Sequence, residues 1–207
     1  MSKGRWEEIV TVSASLFSKK DYRSTTLANI AAELNVTQAA LYFYIKSKHD
    51  ILYAICKAAI NQYKDGVEEI FNTDKKPEEK LRDIIFFNVN LYTKSGDIIN
   101  VYLSEESELP PAQRRYIRKT TKDVENKIRD LLYQAIEEGT FREMNVPVMT
   151  RAIFGMCNWL SRWYKTDGEC SADEIAQTFV DLTMTGCLKA DNARGKKAKA
   201  PKAKGKR

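Results

Sequence analysis

The sequence predicts an all-α fold of about nine helices, a three-helix head followed by a larger helical body. Apolar residues recur at i, i+3, i+4 and i+7 through most of the 207 residues. Hydroxyl and acidic residues mark the helix starts, and Gly, Pro and Asn mark the ends. Charge is divided between the parts: residues 1–55 carry seven basic and five acidic groups, residues 56–188 carry 18 and 22, and residues 189–207 carry nine and one. The net charge of +6 therefore sits at the two ends, and the middle is mildly acidic. A basic head on a near-neutral body fits a small nucleic-acid-reading module joined to something with another task.

Composition excludes several classes. At 43% hydrophobic and 30% charged, the chain is of the soluble globular type, and no stretch approaches the ~18 apolar residues of a membrane span. Trp6-Glu7-Glu8 stands where a signal peptide would place an apolar run. The four cysteines at 56, 157, 170 and 187 lack CxxC spacing, and His49 is the sole histidine. We expect no metal site, no cofactor, free structural thiols and a reducing, cytoplasmic setting. With no Gly-rich phosphate loop and no nucleophile elbow, no catalytic residue is expected either.

The first helix, about Arg5 to Lys19, turns Trp6, Ile9, Val10, Leu16 and Phe17 inward, and Tyr22 plugs the loop that follows. Thr26 caps a second helix bearing Leu27, Ile30, Ala31 and Leu34 on one face. Asn35, tolerant of left-handed backbone, and β-branched Val36 break it. Thr37 then caps a slim third helix, Gln38 to Tyr44, with Leu41 inward. Ser47 and Asp50 form a capping box for the next helix. Helix, tight turn and short hydroxyl-led helix make a helix-turn-helix reading for a domain over residues 1–47.

The body is expected over residues 48–188. A strut from Lys48 to Phe71 packs one end on the head and the other on the body. Helices follow over 78–94 and, after an interruption at Ser95-Gly96-Asp97, over a short segment to Leu103. Pro110-Pro111 is a hard stop, and a long helix then runs to Glu138 and ends at Gly139. The last two helices run from about Val146 to Tyr164 and from Ala172 to Leu188. Their apolar faces are broader than one body of this size needs, which predicts a two-fold helical seam. Phe154, Trp159, Ile175, Phe179, Leu182, Thr183 and Gly186 are its candidates, with Gly155 and Gly186 allowing close approach. The tail, residues 189–207, cannot bury apolar surface and is expected to be a disordered basic segment, read either as a solubilising end or as a non-specific phosphate tether.

The run TTLANIAAELNVTQAALYFYIKSKHDIL, Thr25 to Leu52, with LFSKKDYRSTT leading into it, resembles the TetR family of bacterial one-component repressors. The shared features are Phe17, the paired Thr25 and Thr26, and an LYxYF-x-SK run at Leu41 to Lys48, with Ile45 in place of the usual Phe and His49 in place of the commoner Glu. The resemblance implies a homodimer on palindromic double-stranded DNA, with Thr26, Thr37, Gln38, Tyr42, Tyr44 and Lys48 facing it; Thr25 and Lys46 join them as candidates. Helix N-termini and capping hydroxyls position phosphates, Gln38 suits adenine and Ala39 a thymine methyl. For Tyr44 a core position is the competing reading.

The segment Ala152 to Gly186 resembles the subset of that family that responds to acyl-coenzyme A esters in fatty acid, aromatic acid or sterol-ring breakdown. That implies a small anionic metabolite as the ligand and no interaction with membranes. Trp159, Arg162 and Trp163 put two aromatics and a guanidinium on successive turns, suited to phosphate and adenine, and Arg114, Arg115 and Arg118 add phosphate partners. Phe86, Phe87, Asn90, Tyr92, Tyr102, Val124 and Ile128 are candidates for an acyl tunnel. A second reading makes Trp159 and Trp163 anchors of the dimer seam, and the alternative function is a multidrug-binding repressor of an efflux pump gene.

Overall fold

The computed structural model describes residues 3–165 and 167–189. The expected tail therefore lies, past Lys189, outside the described residues. Among them are nine α-helices: α1 Lys3–Lys20, α2 Leu27–Glu33, α3 Gln38–Leu41, α4 Lys48–Phe71, α5 Pro77–Glu105, α6 Pro111–Glu137, α7 Val146–Asn158, α8 Leu160–Trp163 and α9 Ala172–Cys187. A 3-10 turn, Glu106–Glu108, joins α5 to α6. Their only β pairing is an isolated antiparallel bridge between Phe141 and Leu188. None of these helices is long and apolar enough to cross a membrane.

The expected caps form. The Thr26 side chain accepts from the Asn29 amide, and the Asn29 side chain accepts from the Thr26 amide, so two free donors at the start of α2 are met reciprocally. Thr37 accepts from Ala40 N–H, and Asp50 closes a capping box with Ser47. Asn35 takes φ 53°, the left-handed turn between the two short helices, and Gly139 takes φ 75° beyond the end of α6.

Three boundaries differ from the sequence reading. The third helix stops at Leu41, and residues 42–44 continue as turns bonded back to Gln38, Ala40 and Leu41. The interruption at Ser95 is a kink: α5 runs through it, with Ser95 alone at φ −128°, ψ 32°. The helix expected to reach Tyr164 is split at Trp159 into α7 and α8.

The head does not close a core alone. Ile9, Phe17, Tyr22, Ile30 and Leu41 share one buried cluster with Ile51, Leu52 and Ile55 of α4 and with Val101, Leu109 and Ile117 of the body. A second cluster, built from Val67, Leu81, Ile84, Val124, Ile128 and Leu132 among others, holds the far end of α4 between α5 and α6. The strut is thus embedded in both cores, so a shift at one end is felt at the other. α5 is the central helix, packing on α1, α4, α6 and α9.

Candidate DNA-binding head and ligand cavity

The head carries most of its DNA-facing candidates at its surface. Thr26, Thr37, Gln38, Ala39, Tyr42 and Lys46 are exposed on it. Phe43, which the sequence reading did not single out, is 86% exposed beside Tyr42. Its helical phase relative to buried Leu41 was the available signal.

Three candidates are placed differently from the expectation. Thr25 is fully buried, and its hydroxyl donates to the Asp21 carbonyl at 2.8 Å, so it shapes the loop instead of facing outward. Tyr44 packs partly buried against the head core, in line with its core reading. The Lys48 ammonium is turned inward: it donates to the Tyr22 and Thr25 carbonyls at 2.8 Å each. Desolvation there lowers its pKa from the ordinary lysine value.

In the body, a cavity of about 100 Å3 lies among α4, α5, α6 and α7. Its wall is mixed. Ala59, Ile60, Leu91, Ile99, Leu103 and Phe154 are apolar, while Tyr63, Asn88, Tyr92, Tyr102, Thr121, Glu125 and Asn158 bring polar atoms. The α5 lining comes from both sides of the Ser95 kink, which bends the helix around the space. Tyr102 and Thr121 hydroxyls lie 2.9 Å apart, and Thr121 donates to the Ile117 carbonyl. Desolvation raises the pKa of Tyr63 and Tyr102, so both remain neutral phenols at physiological pH.

Two clefts adjoin this cavity. One shares Tyr102, Thr121 and Glu125 with it and is ringed by Arg118, Lys122, Arg129 and Arg151. The Arg129 Nε there is buried and has no hydrogen-bond partner among the described residues. The other shares Leu103 with it and holds Ser18, Asn100, Ser104, Ser161 and Arg162.

Of the expected ligand residues, Tyr92 and Tyr102 line the cavity, and Arg118 and Arg162 sit in the clefts. The others do not. Val124 and Ile128 are core residues of the second cluster, and Phe86 and Phe87 pack against it. The Asn90 amide is folded onto the Phe86 carbonyl. Arg114 donates from Nε and Nη2 to the Leu109 carbonyl and closes the turn before α6, and Arg115 is exposed. The cavity on α6 follows the Thr121–Glu125 row, one step around from the apolar Val124–Ile128 row.

The expected seam residues divide similarly. Trp159 and Leu182 are 63% and 65% exposed, and Val148 and Trp163 extend this apolar face to α7 and α8. A Cβ added at Gly155 or Gly186 would meet open space, so among the described residues no helix covers them. Ile175 and Thr183 are instead buried within the chain, Phe179 is partly buried, and Phe154 forms cavity wall, its ring edge-on to Tyr63.

This architecture defines a class. Family profiles match residues 9–55, as bacterial regulatory proteins of the tetR family, and residues 74–187, as the tetracyclin repressor-like C-terminal domain. The chain belongs to the TetR family of bacterial regulatory proteins and is a DNA-binding transcriptional regulator, not an enzyme. Among its relatives, the HTH-type transcriptional repressor KstR2 of Mycolicibacterium smegmatis is 24% identical over 187 residues, covering 88% of this chain and 90% of that one. The regulator PfmR of Thermus thermophilus superposes with a TM-score of 0.81 at 30% identity, over 86% of this chain and 97% of that one. AibR, solved with isovaleryl coenzyme A and operator DNA, gives 0.80 at 26% identity, over 86% and 97%.

Proposed function

We propose that this protein is a cytoplasmic homodimeric repressor that binds a palindromic operator and is released by an acyl-coenzyme A ester. The observation that carries the proposal is the small cavity of mixed apolar and polar wall, flanked by arginine-bearing clefts. An acyl group suits the cavity, and the coenzyme's phosphates suit a guanidinium at its border. The isovaleryl coenzyme A bound by AibR supports the same ligand class.

In this reading Thr26, Thr37, Gln38, Ala39, Tyr42, Phe43 and Lys46 face the operator, and the exposed face of Val148, Trp159, Trp163 and Leu182 forms the seam with a second copy. Two heads on one dimer then meet successive major grooves. The ligand enters between α4, α5 and α6 and favours an arrangement of the α4 strut in which the heads no longer match the groove spacing. Release follows only from the ligand's preference for that state.

One observation favours the multidrug alternative: Glu125 is on the cavity wall, where a carboxylate could receive a cation. Arg129, 3.6 Å away, offsets that charge. The test is a gel shift on DNA from beside the protein's own gene, titrated with coenzyme A, short- and long-chain acyl-coenzyme A esters and a cationic dye. Release by an acyl ester and not by the dye supports the metabolic reading. Release by the dye alone overturns it.

A further inference from the structure

We infer that the acyl group taken by this cavity is short and carries a neutral oxygen, a hydroxyl or keto group, that accepts a hydrogen bond from Tyr63. The inference rests on the acyl-coenzyme A reading and narrows it.

Size comes first. The cavity is about 100 Å3. A dry cavity of about 150 Å3 takes a benzene ring, so this one has room for roughly four or five non-hydrogen atoms. A long alkyl chain exceeds this space and would have to run out into the adjoining clefts.

Polarity comes from the wall. The Tyr63 ring is fixed between Phe87, stacked at 6.2 Å, and Phe154, edge-on at 6.1 Å. Its hydroxyl accepts a long bond, 3.5 Å, from the Asn88 amide. Among the described residues no acceptor takes the Tyr63 proton. The Tyr102–Thr121 pair is the complement: one proton is shared inside the pair and the other goes to the Ile117 carbonyl, which leaves lone pairs for the cavity. The wall therefore offers an unspent donor at Tyr63 and unspent acceptors at Tyr102 and Thr121.

A plain alkyl group would strip water from these groups and return no hydrogen bond, at a penalty. A keto oxygen accepts from Tyr63. A hydroxyl accepts from Tyr63 and has a proton for the Tyr102–Thr121 side. A carboxylate is disfavoured, because it would be stripped of water in the cavity and has no proton to give the Tyr102–Thr121 side.

The test is calorimetric titration of the full-length protein with butyryl-, 3-hydroxybutyryl-, acetoacetyl-, succinyl- and dodecanoyl-coenzyme A, repeated on Tyr63→Phe. The wild type is expected to bind the hydroxy and keto esters about tenfold or more tighter than butyryl, the worth of one hydrogen bond in a desolvated site. Succinyl and dodecanoyl esters are expected to be weakest. Tyr63→Phe keeps the ring packing and is expected to bring that preference to within about twofold. Butyryl or dodecanoyl binding as tightly as the oxygenated esters in the wild type overturns the inference, and so does a preference that survives Tyr63→Phe. The wild-type ratios decide even if the variant does not fold. No binding of any ester overturns the acyl-coenzyme A reading itself, a result separate from binding without preference.

Discussion

The ammonium of Lys48 lies 4.2 Å above the Tyr22 ring and donates to the Tyr22 carbonyl at 2.8 Å. The first residue of the strut is thereby fastened to the loop that precedes α2 and α3. Tyr22 is itself core, edge-on to Phe17 at 5.1 Å. A motion of α4 thus reaches the head through a charged hydrogen bond and a packed ring together.

The variant Lys48→Met tests that fastening. Loss of charged hydrogen bonds is expected to cost about 1.5–3 kcal/mol, seen as a lower thermal midpoint, and to weaken operator binding. Salt dependence separates this role from direct pairing with a phosphate. An internal clamp leaves the slope of log K against log salt unchanged, whereas removing one phosphate partner from each head of a dimer reduces it by about 1.8.

Gly66 lies beneath the Phe87 ring, and a Cβ there would overlap it. Gly66→Ala is expected to destabilise by about 1–3 kcal/mol through overpacking, even though alanine is the better helix former. Because Phe87 also stacks on Tyr63, ligand affinity is expected to fall with stability. Denaturant midpoints and calorimetry on the same variant measure both. Gly155→Ala, with open space around its Cβ, is expected to leave the subunit's own packing intact.

The seam predicts a change of assembly. Leu182→Asp or Trp159→Asp introduces a charge onto an exposed apolar face and is expected to shift the protein to monomers in sedimentation, with helical content retained. Operator binding is expected to drop with it, because a single head contacts one half-site only.

Thiol chemistry gives a fourth expectation. Burial pushes Cys56 and Cys157 up to about 12 and Cys187 to about 11, while Cys170 is exposed. A thiol-specific reagent at pH 8 is expected to label Cys170 first and the other three only on unfolding. The same shifts set an alkaline limit. Each buried thiol is neutral in both states below its unfolded value near 9, so its contribution is intact there and is lost as pH rises toward 11–12. Stability, followed through thermal midpoints, is expected to be insensitive to these groups up to about pH 8.5 and to fall above pH 9, by up to about 1.4 kcal/mol per group per unit.

Features that depend on neighbours along the chain were legible in the sequence. The caps at Thr26, Thr37 and Ser47, the left-handed Asn35, the buried row Ile30 to Leu41 and the stops at Pro110 and Gly139 are local hydrogen-bond and backbone preferences, so they could be read in order. The family followed from the same residues. What stands opposite each face was set by the folded chain as a whole. Apolar periodicity marks residues that fill space, so it led to Val124 and Ile128, which are core. A cavity is where packing leaves space, and here it follows the polar row of Thr121 and Glu125 along a helix bent at Ser95. Likewise, the family resemblance together with its charge nominated Lys48 for the DNA surface. Its ammonium instead faces carbonyls more than twenty residues away in sequence, because only the closed fold brings that loop within hydrogen-bond reach.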